Sequence, residues 1–192
     1  MGSNYPINMS ASRSDANLGR FARQAHATHL LGKVFQYVSK PFIDESSQHE
    51  ETQQLDRTLR ALIVLCELES ERTNLRYCNP VAICSSALVV LHSQYMLPST
   101  ETLVGLQQHK DSWKALKDVS EKIARTSKSF LTMSHQGLEQ VSPAVLHSTY
   151  KSAIMFIRMA RESESDELIN GLEVLKLALR SKNKRWQAAG MH

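Results

Sequence analysis

Apolar residues recur at helical spacing from Asn17 onward. At positions i, i+3, i+4 and i+7 the chain places Leu18, Phe21, Ala22 and Ala25, and the same spacing is repeated by Leu31, Val34, Phe35 and Val38. We expect the first helix to end before Pro41, because a residue that precedes proline is pushed out of the α region. After a loop over 39–49, a second amphipathic helix is expected over 51–72. Its apolar stripe consists of Leu55, Leu59, Leu62, Ile63 and Cys66. The pattern therefore predicts two consecutive helices at the start of the folded region.

Two later helices are marked by a capping residue followed by proline, at Asn79-Pro80 and at Ser142-Pro143. Asparagine and serine cap helix N-termini, and proline is favoured at the first helical position. The stretch 81–95 is apolar nearly all round at its beginning, which fits a buried strand as well as a buried helix. Its length and its Asn-Pro start favour a central buried helix.

Three long apolar stripes dominate the second half of the chain. In the helix expected over 101–134, the residues that face inward are Leu106, Trp113, Leu116, Ile123 and Phe130. The helix after Pro143 directs inward Leu146, Tyr150, Ala153, Ile157 and Ala160. The last helix carries Leu168, Leu172, Leu175, Leu179, Trp186 and Ala189, and Gly190 ends it. The sequence thus predicts an all-α, single-domain bundle of about six helices over 17–190, after a disordered tail over 1–16.

Composition narrows the function classes. The chain has 192 residues, of which 42% are apolar and 22% are charged, as in an ordinary globular domain. It contains seven glycines and five prolines, and it has no glycine-rich phosphate loop and no G-x-S-x-G nucleophile motif. We therefore expect neither an enzyme nor a cofactor. The net charge of +4 is too small to indicate a nucleic-acid partner by itself.

Cysteine usage and hydropathy bear on the compartment. Three cysteines are too few for a disulfide framework and are odd in number, which points to a reducing compartment. The polar N-terminal residues show no secretory signal. The longest apolar run, 81–91, is interrupted by serines and is too short to span a bilayer. We expect no membrane partner.

Few residues have the spacing of a metal site. His26 and His29 lie about one helical turn apart, but no third ligand accompanies them, so we interpret them as a surface or half-buried pair. Cys78 and Cys84 are too widely spaced for a C-x-x-C pair, and with Cys66 they are interpreted as buried structural thiols. We expect no bound metal.

Two further groups of residues each allow two interpretations. Met155, Phe156 and Met159 lie on a wide apolar face, which fits either core packing or a candidate interface or ligand pocket. The last helix also carries a basic run, made of Lys176, Arg180, Lys182, Lys184 and Arg185. This run fits either a non-specific nucleic-acid patch or charges that complement the helix dipole. Because it offers no base-reading constellation, we expect at most weak, sequence-indifferent DNA binding.

Five segments occur in an order that resembles one protein family. They are Leu18–Gly32, which begins Leu-Gly-Arg-Phe-Ala-Arg; Gln54–Leu62; Cys84–Tyr95, which begins Cys-Ser-Ser-Ala-Leu; Ser142–Glu162, which ends Arg-Met-Ala-Arg-Glu; and Leu172–Gly190. Together they resemble the C-terminal part of the regulatory region of fungal-specific transcription factors. Those proteins carry an N-terminal binuclear zinc-cluster domain that binds DNA.

The resemblance implies an all-α regulatory domain of a nuclear transcription regulator, whose partners belong to the transcription machinery or are co-regulators. It implies action through a helical surface or a small-molecule pocket, and it leaves a homodimer open. The family's zinc cluster needs six closely spaced cysteines, which this chain does not have, so no DNA-contacting residue is assigned. The alternative is a helical scaffold that regulates a partner outside transcription, and such a scaffold would be cytoplasmic.

One prediction concerns the end of the last helix. Trp186 continues the stripe that begins at Leu168, so we expect its ring to pack inward. Trp186→Ala should then lower the free energy of unfolding by about 3–5 kcal/mol, because a buried ring leaves a cavity. Chemical denaturation measures this difference. An unchanged midpoint would instead place the ring on an exposed surface.

Overall fold

The computed structural model describes the backbone of residues 9–40, 45–73, 78–96, 102–131, 143–162 and 165–189. Side chains are described within these ranges, apart from those of 9–18, 45, 73, 78, 130, 162 and 182–189. The described residues form six helices and no strand: α1 (Met9–Val38), α2 (Glu45–Thr73), α3 (Cys78–Ser93), α4 (Leu103–Leu131), α5 (Pro143–Glu162) and α6 (Asp166–Ala189). The prediction of an all-α bundle is confirmed.

The first two helices start earlier than their apolar stripes. α1 includes residues 9–16, which the sequence assigned to a disordered tail, and α2 includes residues 45–49, which it assigned to a loop. Neither stretch contains proline or glycine, and extending an existing helix costs far less than nucleating one, so the helix continues through polar residues. Residues 1–8 of the expected tail lie outside the described part of the chain.

The short helix α3 lies at the centre of the bundle. It packs against α1, α2, α4 and α5, as the prediction of a central buried helix requires. Its buried side chains are Ala82, Cys84, Ser85, Ser86, Ala87, Leu88, Val89, Leu91 and His92. Since most of these residues are small, neighbouring helices approach α3 closely from several sides.

The stripes predicted for α2 and α6 are confirmed at their centres. Leu59, Cys66 and Leu175 are fully buried, and Leu168 is nearly so. On α4, Leu116 and Ile123 are buried as predicted, whereas Leu106 is partly exposed. The side chains of Phe130 and Trp186 lie outside the described residues, so the inward packing of both stays a prediction.

The stripe predicted for α5 is wrong in part: Ala153 is buried as predicted, but the buried face is centred about one residue before the predicted one. Tyr150 is 54% exposed and Ile157 is also exposed, whereas the adjacent Thr149 and Phe156 are buried. The buried face includes hydroxyl side chains that need no partner on another helix. Thr149 Oγ1, for example, donates to the Val145 carbonyl oxygen at 2.7 Å. Such local bonds let serine and threonine occupy a packed face that a hydrophobic pattern assigns to solvent.

The stripe predicted for α1 is also wrong in part. Phe21 and Phe35 are exposed, whereas Val34 is buried as predicted, and Ala27 and Tyr37 also pack into the core. Tyr37 is buried because its hydroxyl finds hydrogen-bond partners inside the bundle. An aromatic ring with a polar tip can therefore replace a phenylalanine at the packed position.

The contact between α5 and α6 depends on a glycine, which has no side chain to separate the two helices. Gly171 of α6 lies against the buried ring of Phe156 on α5, and a Cβ added at Gly171 would lie 3.0 Å from the ring carbon Cζ. That distance is too short for ordinary carbon contact. Gly171 therefore sets how closely the two helices approach at this point.

This packing predicts opposite effects of alanine at two helical glycines. Gly32→Ala should stabilise the fold by about 0.5–1 kcal/mol, since an added Cβ there meets nothing within 4 Å and alanine favours the helix. Gly171→Ala should destabilise by about 1 kcal/mol, because displacing the Phe156 ring costs more than the helix gains. Adding Phe156→Leu should remove the penalty of Gly171→Ala. Urea denaturation of these variants measures both effects, and a stabilising Gly171→Ala in the parent chain would contradict the account.

Candidate functional site

A buried polar cluster joins three helices. Asp56 lies on α2, His92 in the last turn of α3, and Ser112 on α4. The His92 ring bridges the other two: its Nε2 lies 2.9 Å from Asp56 Oδ1, and its Nδ1 lies 3.1 Å from Ser112 Oγ. We refer to these three residues as the Asp–His–Ser cluster.

The hydrogen-bond roles in the Asp–His–Ser cluster follow from its donors and acceptors. An ionised carboxylate can only accept, so Nε2 of His92 carries a hydrogen and donates it to Asp56. The Ser112 hydroxyl donates to Nδ1 when the ring is neutral and accepts from it when the ring is a cation. The cluster therefore has a satisfied arrangement in either protonation state of the ring.

Arg60 is a second partner of Asp56. Its Nε lies 2.9 Å and 3.0 Å from the two carboxylate oxygens, one helical turn away on α2. Burial by itself raises the pKa of Asp56. The hydrogen bond from His92 and the charge of Arg60 together outweigh burial and hold that pKa below its usual range. Asp56 is thus an anion at neutral pH, with its charge balanced inside the bundle.

A second polar cluster lies one helical turn away. The Tyr37 hydroxyl lies 2.7 Å from Thr52 Oγ1 and 2.6 Å from the Tyr95 hydroxyl. Gln108 Nε2 donates to Thr52 Oγ1 at 3.3 Å. Burial raises the pKa of Tyr37, so its phenol stays neutral. Thr52 and Gln108 precede Asp56 and Ser112 by four residues on their helices, so the two clusters form one polar seam between α2 and α4.

An open groove lies beside the Asp–His–Ser cluster, between α2 and α4. It has a volume of about 350 Å³ and is lined by Gln53, Asp56, Arg57, Arg60, Asp111, Lys114, Ala115 and Asp118. Asp56 is the cluster member that reaches this groove, whereas His92 and Ser112 are buried. The lining carries both signs of charge, so it has no preference for an anion or a cation.

The order aspartate–histidine–serine is also that of a nucleophilic triad, but the surroundings differ from those of a hydrolase. The Ser112 hydroxyl is buried and lies in the middle of a helix. There the backbone N–H groups that could stabilise an oxyanion are already bonded within the helix. What the cluster does is link α2, α3 and α4 through two hydrogen bonds of the His92 ring.

The structure places the candidate residues Met155, Phe156 and Met159 inside the core. Their exposed fractions are 2%, 1% and 0%. Of the two interpretations of this group, core packing is the one that the burial supports, and these residues form no surface. The sequence left an interface or pocket open because this face is wide and rich in methionine.

The basic run is described only at its start. Lys176 pairs with Glu173 one turn earlier on α6, with Nζ 2.7 Å from the carboxylate oxygen, and Arg180 is exposed. The hydrogen bond from Lys176 lowers the pKa of Glu173. The side chains of Lys182, Lys184 and Arg185 lie outside the described residues, so the patch as a whole stays a hypothesis.

The cysteines and the histidines singled out earlier differ in burial. Cys66 and Cys84 are buried thiols, as predicted, and burial raises their pKa values to about 11 and about 12. The side chain of Cys78 lies outside the described residues. His26 and His29 are exposed. In the described part of the chain, no three histidine, cysteine or acidic side chains are grouped so that they could hold a metal ion.

A second apolar stripe on α2 was missed in the sequence. Ala61, Val64, Leu65 and Leu68 face solvent, opposite the packed face of the helix, and we name them the outer strip. The three larger side chains, Val64, Leu65 and Leu68, are 52%, 38% and 48% exposed. The residues repeat the spacing i, i+3, i+4, i+7, which is the signal that could have found them.

Two ion pairs flank the outer strip. Glu67 of α2 pairs with Lys122 of α4 at 2.7 Å, and Glu69 pairs with Arg23 of α1. The hydrogen bond from Arg23 lowers the pKa of Glu69. Since these glutamates lie on opposite sides of α2, the two ion pairs flank the outer strip.

No protein-family model matches the chain, and neither the curated proteins nor the solved structures contain a match to it. Among the helices that the structure describes, none combines the length and the hydrophobicity that crossing a bilayer requires. The resemblance to fungal transcription factors therefore stays a hypothesis.

The Asp–His–Ser cluster predicts a pH-dependent stability. Because the folded-state pKa of Asp56 is lowered, its carboxylate stabilises the fold at neutral pH, and this contribution is lost as the pH falls through the folded value. Asp56→Asn should lower the free energy of unfolding by about 3 kcal/mol at pH 7. The difference between parent and variant should shrink below about pH 4.

Asp118→Asn is the matched control, since Asp118 is an exposed carboxylate on the opposite wall of the same groove. It should change stability little at any pH. Urea denaturation from pH 3 to 7 measures both variants. An Asp56→Asn effect that is independent of pH would contradict the assigned charge.

Proposed function

We propose that this chain is a regulatory, protein-interaction domain of a fungal transcription factor, and that it acts through a helical surface rather than by reading DNA. The observation that carries the proposal is the outer strip on α2. The same helix already buries a full apolar face against α1 and α3. A helix with a second apolar face, directed at solvent, has a surface to offer a partner.

The chemistry of the outer strip fits helix-on-helix recognition. Its four residues span two turns of a helix that the Asp–His–Ser cluster and two ion pairs hold in place. An amphipathic helix that lays its apolar face along such a strip is a recurrent mode of protein recognition. The surface is present before binding, so a partner has little ordering to impose on this domain.

The assignment to transcription comes from the resemblance, and the site is consistent with it. A regulatory domain of this kind needs a surface for co-regulators and needs no catalytic group. The His92 and Ser112 side chains of the Asp–His–Ser cluster are buried and connect helices, and the basic residues Lys176 and Arg180 carry no arrangement for reading bases. A nuclear location and partners in the transcription machinery follow from the same proposal.

A reporter assay tests the proposal. The chain is fused to an unrelated DNA-binding domain in yeast, and transcription from a promoter with the matching site is measured. We expect the fusion to change reporter output relative to the DNA-binding domain alone. The outer-strip variant Val64→Gln, Leu65→Gln, Leu68→Gln should abolish the change, since glutamine keeps the helix and removes the apolar contact.

The control variant replaces three exposed apolar residues elsewhere, as Leu103→Gln, Ile169→Gln and Leu177→Gln, and should behave as the parent. Immunoblotting and nuclear imaging confirm equal amounts of each fusion in the nucleus. An unchanged reporter output from the parent fusion would contradict the transcriptional role and favour the helical scaffold. A strip variant that acts like the parent would contradict the role of the outer strip.

A further inference from the structure

The acidic residues are unevenly distributed among the helices. None of the 19 lies in 16–43, 72–100 or 140–161, so most of α1, nearly all of α5 and the whole of α3 lack carboxylate side chains. These three helices are neighbours, because α1 and α5 both pack on α3. One side of the bundle is therefore built from helices whose charged side chains are basic.

The same three helices border a shallow groove, which we name the α1–α5 groove. Around α3, α1 packs on α2, α2 on α4 and α4 on α5, whereas α1 and α5 make no comparable contact with each other among the described residues. α3 is enclosed least along this line. Ile83 and Val90, seven residues apart on one face, are half-buried, although all of 84–89 between them is buried. They form an apolar floor that is recessed between two helices.

The α5 wall of the groove is basic. His147 marks its position, since Nδ1 of this ring lies 3.1 Å from the hydroxyl of Ser86 on α3. Lys151 and Arg158 follow His147 by four and eleven residues, so they lie on the same edge of α5. Burial and the nearby charge of Lys151 lower the pKa of His147, which is therefore neutral at pH 7. Lys151 and Arg158 carry the charge of this wall, and neither forms an ion pair with another described residue.

The α1 wall of the groove is apolar. The Tyr37 hydroxyl contacts Thr52 of α2, so α2 covers the edge of α1 on which Tyr37 lies. Phe35 precedes Tyr37 by two residues, which is about 200° around the helix, and it therefore lies near the opposite edge. Leu31 and Val38, one turn to either side of Phe35, are half-buried against the core. The α1 wall thus offers apolar contact where the α5 wall offers charge.

We propose that the α1–α5 groove binds an acidic amphipathic helix of a partner protein. The apolar face of that helix packs on Ile83, Val90 and Phe35, and its carboxylates pair with Lys151 and Arg158. A basic helix is disfavoured, because the bordering stretches of α1, α3 and α5 contain no carboxylate to receive it. The groove does not include the outer strip, so this inference does not rest on the proposed function.

Two other anionic partners fit the groove less well. A nucleic-acid duplex offers phosphates to the α5 wall but no apolar surface to the floor. A lipid bilayer offers a flat surface, whereas Ile83 and Val90 are recessed between the two walls. An α-helix is about 10 Å across and carries both an apolar and a charged face, so it can contact the floor and both walls at once.

Fluorescence anisotropy of labelled synthetic peptides tests the proposal. The acidic probe is a helix of about 18 residues, long enough to span α3, with leucine at i, i+3, i+4 and i+7 and glutamate elsewhere. The basic probe has lysine in place of every glutamate. We expect the parent chain to bind the acidic probe in the micromolar range and the basic probe about tenfold more weakly.

Charge reversal on α5 should invert this preference. The variant Lys151→Glu, Arg158→Glu should bind the acidic probe about tenfold more weakly than the parent and the basic probe more tightly. The matched control, Lys110→Glu with Lys114→Glu, changes the net charge equally but alters two exposed cations of α4, which does not border the groove. It should bind both probes as the parent does.

A substitution in the α1 wall tests the apolar half of the groove. Phe35→Gln should weaken binding of the acidic probe severalfold, because it removes apolar contact without changing charge. Leu177→Gln on α6 is its control, since the two side chains are equally exposed, at 50% and 51%. It should leave binding unchanged, and circular dichroism verifies that each variant is folded.

Several outcomes would overturn the proposal. The first is a parent chain that binds neither probe, or both equally. The second is an α4 control that loses the acidic probe as fully as the α5 variant does. The third is a DNA duplex, or a vesicle of phosphatidylcholine and phosphatidylserine, that binds the parent more tightly than the acidic probe and is lost in the α5 variant. That result would assign Lys151 and Arg158 to phosphate groups.

Discussion

The enclosure of α3 is the constraint on which the rest of the fold depends. This helix is apolar nearly all round, so it is stable only when other helices cover every side. α1, α2, α4 and α5 do so, and α6 completes the bundle by packing on α4 and α5. The requirement extends to polar atoms: Ser86, buried on α3, is paired with His147 of α5 through a contact of 3.1 Å.

His92, which α3 buries near its C-terminal end, gives this enclosure a specific geometry. A buried imidazole needs partners on both nitrogens, and here they come from α2 and α4. Rotating either helix by one position would leave a buried carboxylate or hydroxyl without its bond. The Asp–His–Ser cluster thus selects one rotation of α2, and that rotation is what places the outer strip toward solvent.

Much of the fold followed from local pattern, because six apolar stripes and two proline-marked starts are properties of neighbouring residues. The phase of α5 did not follow, since Thr149 and Ser152 are buried with hydroxyl groups while Tyr150 projects its ring outward. A hydrophobicity scale would instead bury Tyr150 and expose Thr149 and Ser152. Only the close approach of α3 and α4 to α5 explains why small side chains face inward.

The candidate site was less accessible from the sequence. Asp56, His92 and Ser112 are separated by 36 and 20 residues, and each alone is a polar residue that a helical pattern assigns to the surface. The outer strip was visible as a spacing, but it lies on a helix whose core stripe already accounted for an apolar face. Which face of α2 is covered depends on how the helices pack, so the structure was needed to tell the core stripe from the outer strip.

Native-state hydrogen exchange tests the central role of α3 most directly. The account predicts that the amides of residues 84–92 exchange slowest in the domain, and only through global unfolding, so that their opening free energy equals that from denaturation. In His92→Ala the same amides should remain the slowest, with both free energies reduced equally. Exchange of these amides by a local opening, at a free energy below that of α5 or α6, would contradict the claim that the bundle is built around α3.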